Sequence, residues 1–130
     1  MQRSILMKLF VLIFFLASTA VHCQKPAKIT IKQADFAKYA KAMGENVYRV
    51  IGNAIFEHEG ALLYCDSAWM NDSSNSLQAF GNIHIKNSDT LNLYGDKLNY
   101  DGNTRIAELI DNVKLIDRQS VLTTDRLYFD

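Results

Sequence analysis

Three copies of one short pattern, almost evenly spaced, constrain this 130-residue chain more than any other feature. The pattern is Gly/Asp-Asn-apolar-x-apolar, at Gly52-Asn53-Ala54-Ile55-Phe56, Gly81-Asn82-Ile83-His84-Ile85 and Asp111-Asn112-Val113-Lys114-Leu115. Half a repeat later comes Asp-x-apolar-x-apolar, at Asp66-Ser67-Ala68-Trp69-Met70, Asp96-Lys97-Leu98-Asn99-Tyr100 and Asp125-Arg126-Leu127-Tyr128-Phe129. The Asn positions lie 29 and 30 residues apart, the Asp positions 30 and 29. Such a period marks one structural unit used repeatedly, each copy burying its apolar face against the next.

Each unit reads as two strands. Around the Asn, apolar residues occupy alternate positions: Val50, Ala79 and Leu109 three before it, then Ala54, Ile83 and Val113, then Phe56, Ile85 and Leu115. The intervening Ile55, His84 and Lys114 are mixed in polarity, the period-2 signature of a strand with one buried face. Leu63, Leu93 and Leu122 begin the same alternation ahead of the Asp. Turn residues separate the runs at Glu59-Gly60, Asp72 to Asn75, Asn87 to Asp89, Asp101-Gly102-Asn103 and Asp117 to Gln119. Asp-Gly between alternating runs is a hairpin signal, since the favoured two-residue turn needs positive φ. The strands are therefore antiparallel, and long enough to require twist and curl.

Two stretches are less regular. Residues 29–51 read as a degenerate earlier copy, with Asp35 lying 31 residues before Asp66 and Ala37 and Tyr39 in the apolar slots. A short helix through Ala34–Met43 ended by Gly44 is the competing reading; strand is preferred because it continues the register. Ile51, Phe80 and Ile110 fall on the parity opposite to the core, and curling strands that bury both faces would account for them. An opening or stacking surface is the other reading.

The start of the chain reads differently. Arg3 and Lys8 accompany an apolar run from Leu9 to Ala17, followed by Ser18, Thr19 and Ala20. This is a secretory signal peptide, helical and spanning residues 1–23, with cleavage after Ala20 or after Cys23. The run is too short for a bilayer-spanning helix. Cys23 could be a lipidated Cys, though His22 fits such processing poorly. Residues 24–130 then form one domain, without a Pro/Gly/Ser-rich linker. The 14 basic and 14 acidic residues of the full chain balance, so nothing suggests a nucleic-acid partner. Cys65 alone is certain to remain after processing, and an exported fold without a disulfide depends on pairing and core.

No catalytic constellation is visible. G-x-S-x-G, P-loop and H-E-x-x-H strings are absent from the sequence. Asp66, Asp96 and Asp125 could stack as carboxylate ligands, but one per repeat is too few; a structural role bonding a neighbouring amide is expected. The repeated Asn, at a strand start, would tolerate a bulge or satisfy edge groups. His58 and His84 are expected at the surface. Cys65 has no partner histidine motif. No enzyme activity, metal or cofactor is expected.

The strings GNAIFEHEGALLYCDSAWM, AFGNIHIKNSDTLNLYGDKLNYDG and NVKLIDRQSVLTTDRLYFD, at their spacing, resemble the OstA-like family. These are the LptA-type β-jellyroll domains of lipopolysaccharide transport, here in a Bacteroidetes-like form. The resemblance covers about residues 29–130. It implies an all-β, repeat-built antiparallel β-jellyroll with open, curled sheets, in the periplasm or at the outer membrane. It also implies an interior that receives acyl chains of lipopolysaccharide or a related glycolipid. Such domains stack edge to edge with other jellyroll transport proteins or with copies of themselves. Relative to that family the chain stops early, at Asp130, and reads as truncated. The interior candidates are Phe56, Leu63, Ile83, Ile85, Leu91, Leu93, Leu98, Tyr100, Val113, Leu115, Leu127 and Phe129. A structural envelope β-repeat protein with no lipid ligand is the alternative.

Overall fold

The computed structural model describes residues 25–130; the expected signal peptide at 1–23, Cys23 included, lies outside the described residues. The described chain is all-β. Eight strands run in order: β1 (Thr30–Gln33), β2 (Phe36–Tyr39), β3 (Val47–His58), β4 (Ala61–Asn71), β5 (Ser76–Asn87), β6 (Leu91–Asp101), β7 (Ile106–Asp117) and β8 (Ser120–Phe129). They form one open antiparallel sheet ordered β1-β3-β4-β5-β6-β7-β8, with β2 also on β3. From β3 onward every strand pairs with its sequence neighbour, so each hairpin closes locally.

Within residues 33–44, Gln33 and Phe36–Tyr39 are strand, and no α-helix forms. β1 pairs with the far part of β3 and β2 with its near part, Phe36 facing Ile51 and Tyr39 facing Tyr48. The two are one strand broken at Ala34-Asp35, which makes this segment the degenerate copy read from the register. The helical preference survives as a single 3-10 turn, Lys41–Met43.

The Asn motif is a bulge. In β3, Gly52 and Asn53 together oppose the single Asp66 of β4, and the register resumes at Ala54 against Cys65. Gly81-Asn82 oppose Asp96, and Asp111-Asn112 oppose Asp125, in the same way. Asn53, Asn82 and Asn112 all have positive φ, as do Gly52, Gly81 and Asp111. A side chain on Gly81 would strike the Asp66 carboxylate. Short polar residues reach this left-handed region more readily than others, which suits the Asp at the third copy.

The repeated Asp locks each bulge. Asn53 Nδ2 donates to Asp35 Oδ2 at 2.9 Å, Asn82 to Asp66 at 2.8 Å and Asn112 to Asp96 at 2.7 Å. The carboxylate comes from the neighbouring strand one half-repeat earlier, so the partner is an Asn side chain. Asp66 and Asp96 thus have a structural role, as expected, with an Asn side chain as donor in place of a backbone amide; Asp125 holds no such Asn among the described residues.

The bulges lie in line across the sheet, and extra twist accumulates there. His58, at the end of β3, is bonded to Tyr100, at the opposite end of β6, at 2.6 Å. In a flat sheet the strand length alone would separate those ends by on the order of 30 Å. The sheet therefore doubles over along the bulges, and its two halves share one core. Phe56, Leu63, Ile83 and Leu93 contribute from one half; Val50, Leu77, Ala79, Leu98 and Leu109 contribute from the other.

Two turn and surface expectations need correction. The Asp101-Gly102 pair is not a two-residue turn: β6 and β7 are joined by Gly102–Arg105, and the positive φ falls on Arg105. Gly102 is required because a Cβ there would sit 2.7 Å from the Asn75 side chain. Ile51 and Phe80 are not buried by curling; they are exposed, with Phe36 beside them, along the outside of the bend, whereas Ile110 is half-buried.

Candidate functional site

Between the two halves lies a cavity of about 470 Å³. Phe56, Leu63, Ile85, Leu93, Leu98, Tyr100 and Phe129 line it, joined by Ile29, Leu77 and Ala107. Glu57, His58, Glu59, Arg105 and Asp130 are the charged or titratable groups of its lining besides Tyr100. Seven of the twelve interior candidates thus converge on one space. Ile83 and Val113 are buried in the core, and Leu115 and Leu127 pack against it half-buried, without lining the cavity. Leu91, at the start of β6, is half-exposed and outside the core cluster. Alternation assigns a face correctly but cannot say where along the strand the opposing half ends.

His58 departs from expectation. It is 6 % exposed, with Nε2 2.9 Å from the Ala27 carbonyl oxygen and Nδ1 2.6 Å from the Tyr100 hydroxyl. The carbonyl only accepts, so Nε2 carries a proton; in the neutral ring, bare Nδ1 accepts from the phenol. The signal was present: His58 shares its parity with Ala54 and Phe56. Asn75 was read only as a turn residue and is 3 % exposed. Its Oδ1 accepts from Ile29 N at 2.9 Å, and its Nδ2 donates to Ala27 O at 2.8 Å. Nothing local in the sequence reveals that role, because both partners lie more than forty residues away.

His84 is on the outer face, half-buried between Tyr64 and Tyr94. Its ring stacks on Tyr94 with centroids 4.5 Å apart, and its Nε2 meets Asn92 Oδ1 at 2.8 Å.

Two groups near the interior hold their protons tightly. Burial, then the Asp66 charge, pushes the Cys65 thiol from 9.0 to about 12. Burial, then Glu59, raises the Tyr100 phenol from 10.0 to about 12. A thiol so poised is a packing element, since the thiolate is the reactive form. Both groups bind protons more strongly folded than unfolded, so their contribution to stability is complete below pH 9.0 and is lost as pH rises toward about 12. Urea midpoints across that window should fall, and Cys65→Ala should make the fall shallower. Midpoints independent of pH there would contradict this account.

These features define a class: an open antiparallel sheet doubled over an apolar cavity. The OstA-like protein family model matches residues 26–130. The chain belongs to the OstA-like family. Its fold is similar to that of LptH from Pseudomonas aeruginosa, the LptA-homologous periplasmic component of a lipopolysaccharide transport device. The TM-score is 0.69 at 18 % identity, covering 82 % of this chain and 78 % of that one. No curated protein matches the sequence.

Proposed function

We propose that this chain is a non-enzymatic, lipid-holding component of a periplasmic lipopolysaccharide transport bridge, exported by the segment at 1–23. The observation that carries the reading is the apolar cavity between the halves of the sheet. Each methylene moved from water into such a space contributes about 0.8 kcal/mol, so acyl chains bind without any catalytic group. LptH, which shares the fold, is named as part of a lipopolysaccharide transport device, and that supports lipopolysaccharide or a related glycolipid as the cargo.

Lateral partners follow from the sheet edges. Among the described residues β8 pairs only with β7, and it exposes Val121, Leu122 and Tyr128. An unpaired edge offers its N–H and C=O groups to another strand. The partner would be another jellyroll transport protein or a second copy.

The test uses a photo-crosslinking residue at Ile85 or Leu98, which face the interior, against Lys86 or Lys97, which do not. Labelling of lipopolysaccharide from Ile85 and Leu98 alone is the expected result. Labelling only from the lysine positions would reject the cargo. Chains that polymerise through their edges and retain no amphiphile would favour the envelope-repeat alternative.

A further inference from the structure

The residues just before β1 form a strap that touches both halves of the sheet. Ala27 carbonyl oxygen accepts from His58 on one half at 2.9 Å and from Asn75 on the other at 2.8 Å. Lys28 Nζ donates to the Asp72 carbonyl at 2.7 Å, and Ile29 N donates to Asn75 Oδ1 at 2.9 Å. The Ile29 side chain is 5 % exposed and lines the cavity. Below the strap, His58 and Tyr100 join the halves directly. Residues 25–29 have no strand pairing of their own, so a few polar bonds and one apolar side chain hold the strap.

We propose that this strap, with the His58–Tyr100 bond beneath it, is a gate: an acyl chain enters the cavity only when that bond opens and Ile29 withdraws. The inference rests on the lipid-holding reading above. At about 470 Å³ the cavity has the size of a site for one small ligand, so the gate admits one chain of an amphiphile at a time. His58 and Asn75 are the buried polar side chains at the seam, and breaking their bonds leaves unpaired groups unless water or ligand intervenes. That makes the bonded seam a definite state and its opening a discrete event.

The experiment follows uptake of cis-parinaric acid, a fluorescent long-chain fatty acid, by stopped flow in the processed chain. In the unaltered protein the observed rate should level off at high probe concentration, because opening precedes binding. A rate that rises linearly throughout would overturn the gate. Tyr100→Phe, which removes only the hydroxyl, should raise the plateau about tenfold, the factor a buried hydrogen bond of ordinary strength represents. His58→Gln should act in the same direction. Saturation should stay at one probe per chain, and exchange of the Ile29 amide should quicken in parallel. Equal uptake rates in folded variants and unaltered protein would remove the gate and leave lipid binding standing. No uptake by any of them would remove both.

Discussion

Replacing Gly81 with Val should lower the free energy of unfolding by roughly 3 kcal/mol or more, through backbone strain and collision together. Gly81 has φ of 81°, where a β-branched residue is a steric outlier. Its new Cβ would also meet the carboxylate of Asp66, which accepts from Asn82 at 2.8 Å. Relief requires moving Asp66, and that abandons the lock on the bulge. Gly81→Asp should cost less, because Asp tolerates this backbone conformation, as Asp111 does in the third copy with φ of 63°, and only the collision with Asp66 remains. Equilibrium urea unfolding of both variants checks the ordering. Equal losses would mean that the collision with Asp66, and not the backbone conformation at Gly81, sets the cost.

Phe56→Ala should cost about 3–5 kcal/mol, the range for deleting a buried aromatic ring. Phe56 is 1 % exposed and sits where the core meets the cavity wall. Against a total stability of about 5–15 kcal/mol, that loss brings the domain close to unfolding. Leu109→Ala supplies the comparison: it is equally buried but does not line the cavity. If the cavity holds acyl chains, added amphiphile should restore more stability to Phe56→Ala than to Leu109→Ala, since ligand can fill only the first void. A loss under about 1 kcal/mol for Phe56→Ala would show that the halves do not pack as described.

Much of the fold was legible because strand alternation is a local property. The parity that put Val50, Ala79 and Leu109 on one face needed no knowledge of their partners, and all three are fully buried. The same parity pointed His58 inward, a consequence set aside in favour of histidine's usual exposure. Strand position also mattered at the far edge: Leu122 has the inward parity yet is 48 % exposed, because β8 lacks a further neighbour among the described residues. Leu91 has that parity too, but stands too near its strand end to reach the core.

From the residue order alone came the repeat, the antiparallel pairing of successive strands and the side that most core side chains face. These depend on contacts between neighbours in the chain or in the next hairpin. The doubling of the sheet, the cavity it encloses and the strap tied by His58 and Asn75 arose only when distant segments met. A bulge permits a bend in any twisted sheet, but how far the halves close is set by which apolar surfaces fit against each other and by bonds spanning tens of residues.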